Sequence, residues 1–296
     1  MNIGPDYDGG NLVFVVGCPR SGTTWVQRLL ASHPCIRTGQ ESDLFDMYVG
    51  PLLRTWQHEL RVDSSGRGAV GLGCYFTDAE FSQALKSFVL QLLAPMVANL
   101  LPGELFLEKT PSHVLFVPEI HALLPRARFI HVVRDARDTV ASLLSASRTW
   151  GRAWAPRRAA HAARTWVTHV EAGRTAQRQL PAARFHEVRY EALHANGFLE
   201  LRELTRWLDL QWTDAELRSA LDRNSPDAAR QGHGTPIPLG GEFAGSVVKE
   251  PAGFIRQARA GTWRQDLRPV DKLEVWRVAR STMARVGYPW TAPWSA

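Results

Sequence analysis

The segment Leu12-Val13-Phe14-Val15-Val16-Gly17-Cys18-Pro19-Arg20-Ser21-Gly22-Thr23-Thr24-Trp25 opens on an unbroken apolar run. No polar residue alternates within that run, so it predicts a strand buried on both faces, as in a parallel sheet with helices on either side. Beyond Gly22, the spacing of Trp25, Leu29 and Leu30 predicts a helix over Ser21 to Ser32 with these side chains on one face. Strand, glycine-bearing loop and helix, in that order, begin a phosphate-binding α/β unit. Successive backbone N–H groups of such a loop wrap an oxyanion, and the helix dipole adds positive potential.

Working outward, Phe129 to Val133 is a second buried strand, followed by a helix from about Asp138. Leu85 to Leu101 and Arg158 to Leu180 read as helices, Leu105 to Leu107 and Arg184 to Tyr190 as strands, and further helices fall near 198–209, 214–223 and 271–286. Strands alternating with helices predict an α/β, three-layer P-loop-like fold with a central parallel sheet flanked by helices, in a single domain over 1–296. Residues 1–10 are expected to be flexible. The Gly-rich stretch 61–74 and the Gly/Pro-rich stretch 225–246 read as long loops, the second as a mobile substrate loop.

Hydrophobic residues make up 45% of the 296 positions, enough for a sizeable core, and the formal charge is +6. The excess is almost all arginine and is spread along the chain, which suits anionic ligands. Cys18, Cys35 and Cys74 have neither disulfide-framework nor zinc spacing, and no metal is expected. The polar N-terminus is not a signal peptide, and Phe88 to Leu101 is too short for a membrane span, so a cytoplasmic location is expected.

The spacing Gly17-x-x-x-x-Gly22 matches a nucleotide P-loop, but a nucleotide P-loop continues with Lys-Ser or Lys-Thr, and here the pair is Thr23-Thr24. The cation stands upstream instead, at Arg20, which grips an anion through two nitrogens. A second element follows Phe129 to Val133. Arg134 lies at the strand's C-terminal end, where α/β sheets bind ligands, Asp138 reads as a helix N-cap, and Ser142 faces back toward Arg134. Alone, this element reads equally as a salt-bridged helix start.

Together the two elements resemble the PAPS-dependent sulfotransferases of bacterial type, with motifs like those of tyrosylprotein sulfotransferases. These enzymes use 3′-phosphoadenosine 5′-phosphosulfate (PAPS) as sulfuryl donor and release PAP. Pro19 to Trp25 looks like the family's 5′-phosphosulfate loop, in which cytosolic members carry Lys and tyrosylprotein and many bacterial members carry Arg at the position of Arg20. The resemblance implies that Arg20, Ser21, Gly22, Thr23 and Thr24 hold the 5′-phosphosulfate and that Trp25 lies against the adenine. It implies that Arg134 and Ser142 hold the 3′-phosphate and that Tyr190 touches the nucleotide. Arg256 to Arg264 is similar to a further family segment, with Gln257 and Ala258 departing from it; Arg256 and Gly261 are carried over to the donor, and Trp263 to the core.

Sulfuryl transfer needs a base for the acceptor hydroxyl and cations for the leaving oxygen. The resemblance points to Glu41, beyond His33-Pro34, as the base, although Glu41 also reads as a cap on a helix starting at Ser42-Asp43. A base here needs a pKa raised by burial. Lys109 is implied to stabilise the leaving oxygen, with Glu108 orienting or neutralising it. Cytosolic members place a His where this chain has Pro111, which leaves His113 as the alternative base. The expected acceptor is a hydroxylated small molecule (metabolite, glycolipid or sugar), lined by the two long loops with Trp56, Tyr75 and Phe76. A homodimer is compatible with this reading. The competing readings are a P-loop kinase and a nucleic-acid binder using Arg148 to Arg164 with Trp150 and Trp154; no nucleic-acid motif accompanies the latter.

Overall fold

The computed structural model describes residues 3–4, 6–64, 71–255 and 259–290. Five strands, β1 (Leu12–Gly17), β2 (Ile36–Thr38), β3 (Leu105–Lys109), β4 (Arg128–Val133) and β5 (Phe185–Arg189), form one sheet in the order β2-β3-β1-β4-β5. Every neighbouring pair is parallel. All five C-terminal strand ends therefore lie along one edge, and β1 holds the centre of it.

The three layers follow from the two-residue period of a strand. On one face, Leu12, Phe14 and Val16 pack with α3 (Asp78–Val97), α4 (Val117–Leu123) and part of α6 (Ala159–Gln179). On the other, Val13 and Val15 pack with α1 (Thr23–Leu30), α8 (Gly197–Trp207) and α9 (Asp214–Arg223). The Phe14 and Phe129 rings stack 5.4 Å apart beneath the first layer. Each fully buried β1 side chain of this kind contributes about 1.5–3 kcal/mol. A third cluster joins α5 (Ala136–Arg148) and α6 to α12 (Pro269–Arg285) through Val140, Trp166, Val275 and Met283.

Several expectations are corrected. The helix expected from Ser21 begins at Thr23, and the one expected from Leu85 begins at Asp78, where Thr77 and Glu80 form a reciprocal capping box. Much of the stretch 61–74 is not loop: α2 (Gly50–Ser64) runs into it and a 3₁₀ turn, Gly71–Cys74, closes it, while 65–70 lie outside the described residues. Trp56, expected at the acceptor, is instead the buried anchor of α2, stacked 4.2 Å from Phe81 and donating to Asp78 Oδ1 at 2.6 Å. The stretch 225–246 is also structured. It carries α10 (Pro226–Arg230) and an antiparallel bridge between Pro238 and Val247, flanked by the bonds Leu239 N to Ser246 O and Val248 N to Ile237 O. Near the N-terminus, Asp8 O accepts the Arg126 amide at 2.8 Å, which ties residues expected to be flexible to the body. Among the described residues no helix is long and apolar enough to cross a membrane.

Candidate active site

The sheet order sets the site. Along the C-terminal edge come, in sequence, Glu41 beyond β2, Lys109 ending β3, the Cys18–Gly22 loop beyond β1, Arg134 beyond β4 and Tyr190 beyond β5. Ligands of open α/β sheets bind at this edge.

The loop is shaped by backbone that only certain residues tolerate. Gly22 has φ 104°, and a Cβ there would come within 2.5 Å of the Tyr190 ring; Gly17 has φ 155°, and a Cβ would meet Val132 O at 2.5 Å. Arg20 has φ 75°, a left-handed conformation costly for a side-chain-bearing residue. Gly22→Ala is expected to lower stability by about 1–3 kcal/mol, read as a lower urea midpoint at unchanged m-value; an unchanged midpoint would show that Tyr190 yields freely.

Gly22, Thr23, Thr24 and Trp25 line a cleft of about 880 Å³ including its open mouth. Arg20 donates from Nε to Ser142 Oγ at 3.2 Å and from Nη2 to Phe254 O. Its guanidinium lies 4.4 Å over the Phe254 ring and 5.1 Å over Trp150. Trp150, which a nucleic-acid reading would place on a binding surface, is thus a wall for Arg20. Arg134 donates to Arg20 O at 3.4 Å and to Arg259 O at 3.0 Å, and lies 4.1 Å over the Tyr190 ring. Trp25 meets Tyr190 edge-on at 5.5 Å and donates to Asn224 O at 2.9 Å. Burial pushes the Tyr190 hydroxyl pKa upward, and Arg134 partly opposes it. Ser21 Oγ and Arg134 Nε are buried and have no hydrogen-bond partner among the described residues. Ser21, expected at the anion, does not line the cleft; Arg134 does, and a buried unpaired donor of this kind in a cationic cleft fits an anionic ligand.

Beside this cleft, Lys109 Nζ donates to Glu41 Oε1. Lys109 is buried at 5% side-chain exposure, whereas Glu41 is 38% exposed, so the burial expected of a base is absent. Nor does Glu41 cap a helix: the next element is a π-helical turn, Leu44–Val49, with Asp43 before it. Glu108 does not orient Lys109. Adjacent residues on a strand point to opposite faces, and Glu108 instead binds Ser42, Thr110 and His113.

His113 is fully buried, with Nδ1 3.0 Å from Glu108 Oε2 and Nε2 3.1 Å from Asp46 Oδ1. Burial opposes charge on this ring, but the facing carboxylates of Glu108 and Asp46 outweigh it and push the pKa up to about 9. The Phe45 amide, also 3.1 Å from Nε2, donates only to the neutral ring; the two carboxylates favour the charged one. Either way both ring nitrogens are engaged, which removes His113 as an alternative base.

The expected helix cap Asp138 is corrected to Asp135, whose side chain accepts the Arg137 amide. Asp138 is buried and accepts from Gly261 N at 2.6 Å, Trp263 N at 2.9 Å and Thr262 Oγ1 at 3.3 Å. Gly261 therefore spends its amide on Asp138 rather than on the cleft. Trp263 is core, as expected, and Arg256 lies outside the described residues. Cleft residues that the sequence did not single out include Arg28, Asn224, Glu250 and Phe254. Arg28 was findable, one helical turn beyond Thr24 on the same face. It pairs with Glu250 at 3.1 Å. The other three arrive from distant loops and carry no local signal. Among the described residues no cluster of three or more His, Cys, Asp or Glu is arranged to hold a metal.

The sequence model described as the sulfotransferase family matches residues 12–214, from β1 to the start of α9. The chain belongs to the sulfotransferase family. A protein-tyrosine sulfotransferase of Drosophila melanogaster is 27% identical over 220 residues, 73% of this chain and 41% of that protein. The alignments with curated sulfotransferases of this group span a third to about half of the length of those proteins, between 34% and 55%. Two solved sulfotransferases share the fold: a mouse enzyme complexed with PAP (TM-score 0.61, 13% identity, 96% of this chain and 89% of that one) and the sulfotransferase domain of a Synechococcus olefin synthase (TM-score 0.56, 21% identity, 96% and 98%). The family match contains Arg20, Glu41, Lys109, Arg134 and Tyr190. Asn224, Glu250 and Phe254, which close the cleft from the other side, lie beyond it.

Proposed function

We propose that this sulfotransferase moves a sulfuryl group from PAPS to a hydroxyl of an apolar small-molecule acceptor and releases PAP. The observation that carries the reading is the sheet edge itself: a cationic, aromatic-walled cleft formed by the β1, β4 and β5 ends, with Glu41 and Lys109 at the adjoining ends of β2 and β3. The orphaned Arg134 Nε suits the donor's anionic groups, and the Trp25–Tyr190 wall suits its adenine. A fold neighbour crystallised with PAP supports the same donor.

In the transfer, the acceptor oxygen bonds to sulfur while the bond from sulfur to the bridging phosphate oxygen breaks. Glu41 takes the acceptor proton, as an exposed carboxylate held beside Lys109 rather than the buried one expected from the sequence. Lys109 and Arg20 face the electron pair left on the phosphate oxygen. The Glu41–Lys109 ion pair parts for this to happen, each charge turning to its own end of the reacting line.

Exposed apolar side chains support the acceptor assignment. Met47 and Tyr48 follow Glu41 on the π-helical turn, and Phe243 and Val247 belong to the segment whose Pro238 reaches Gly39 beside the end of β2. The name of the Drosophila relative favours a second reading, peptidyl tyrosine. Labelled PAPS offered with apolar phenols and, separately, with an acidic tyrosine peptide separates the two: label on the phenols supports the first, and label on the peptide alone overturns it.

Donor identity has its own test. PAP is expected to bind at least about tenfold more tightly than ADP in calorimetry, because the 3′-phosphate adds charge-assisted bonds. Equal affinities would favour the P-loop kinase reading.

A further inference from the structure

The proposed base, Glu41, sits on a chain segment that would not hold its shape unaided. Two residues on, Asp43 has φ 48°, a left-handed conformation for a residue bearing a side chain, and a π-helical turn begins immediately after it. What holds this segment is a buried polar cluster on the face of β3 opposite Lys109. Glu108 Oε1 accepts from Ser42 Oγ at 2.8 Å, Ser42 N at 3.3 Å and Thr110 Oγ1 at 2.6 Å. Thr110 Oγ1 in turn accepts the Ser42 and Asp43 amides at 3.2 and 3.4 Å. Glu108 Oε2 faces His113 Nδ1 at 3.0 Å, and His113 reaches both Phe45 and Asp46 through Nε2. From the end of β3 and the 3₁₀ turn Pro111–Phe116 after it, these groups reach Ser42, Asp43, Phe45 and Asp46 as struts.

We infer that Glu108, with Thr110 and His113, is the positioning group that fixes Glu41 relative to Lys109 and the reacting line. The inference rests on Glu41 being the base. β3 thus serves the site with both faces: Lys109 touches Glu41 directly, and Glu108 sets the backbone from which Glu41 projects. Glu108 and His113 are both buried and spend their polar side-chain atoms on Ser42, Thr110, the Phe45 amide and each other, so their effect on the reaction passes through the Glu41 segment.

The test compares Glu108→Gln in two backgrounds, reading PAP release from PAPS with 2-naphthol present, which counts transfer to the phenol or to water. In the wild-type background kcat is expected to fall by roughly 10- to 100-fold, with PAP affinity in calorimetry unchanged within about twofold. In a Glu41→Gln background the same change is expected to cost less than about twofold, because the group acted upon is already gone. A loss of equal size in both backgrounds, or a parallel loss of PAP affinity, overturns the positioning role and leaves the base assignment standing. Full turnover in Glu41→Gln alone overturns the base assignment instead. If Glu108→Gln does not fold, Ser42→Ala removes one strut and is expected to slow kcat about fivefold; an unchanged rate there overturns the inference.

Discussion

Arg20→Ala is expected to lower kcat/KM for PAPS by roughly 10²–10³-fold, the scale of losing a preorganised charge at a developing oxyanion. The side chain is held in place from four directions: Ser142 Oγ, the Phe254 carbonyl, and the rings of Phe254 and Trp150. That packing orients a planar cation before any ligand arrives, and its left-handed backbone keeps it at the mouth of the loop. Alanine removes the charge, the orientation and the wall together. Arg20→Lys restores only a point charge, so it is expected to recover part of the rate. Initial rates over a PAPS series, with PAP affinity by calorimetry, check both variants. A rate within about threefold of wild type for Arg20→Ala would remove this residue from the transfer step.

Glu41→Gln is expected to reduce kcat by roughly 10²–10⁴-fold, the range for losing a positioned general base. PAP affinity is expected to stay within about twofold, since the donor cleft is built from other strand ends. The amide is nearly isosteric but accepts no proton, and it leaves Lys109 without its counter-charge. Because Lys109 is buried, Glu41→Gln is also expected to destabilise the fold modestly, visible as a lower thermal midpoint. Turnover equal to wild type would send the search for a base elsewhere, and not to His113, whose two nitrogens are both occupied.

The legible parts of the chain were those whose signal is local. Leu12 to Val16 and Phe129 to Val133 are continuous apolar runs, and both became central strands. The Gly17–Trp25 loop states its purpose in consecutive residues. β2 escaped notice because it is a three-residue edge strand, and α2 because Trp56 is the one buried side chain among those described in it. Asp138 misled because an acidic residue near a helix start is normally a cap; its true partners, the amides of Gly261 and Trp263, are more than 120 positions away. The pairing of Lys109 was misread for a different reason. Glu108 is its neighbour in sequence, but strand geometry turns the two side chains apart, and that was deducible from the two-residue period without any structure.

The sequence by itself determined the strand–loop–helix unit, the layered α/β architecture and the identity of the cations, because hydrophobic period, glycine and arginine act over a few residues. Tertiary structure alone decided which strand ends meet. The order β2-β3-β1-β4-β5 brings Glu41 to Lys109 and Arg20 to Ser142, and carries Asn224 and Phe254 over the cleft. Those contacts join residues up to 234 positions apart. Side-chain types record what each group is able to bind; only the packing of helices on both faces of a twisted parallel sheet fixes which groups come within reach of one another.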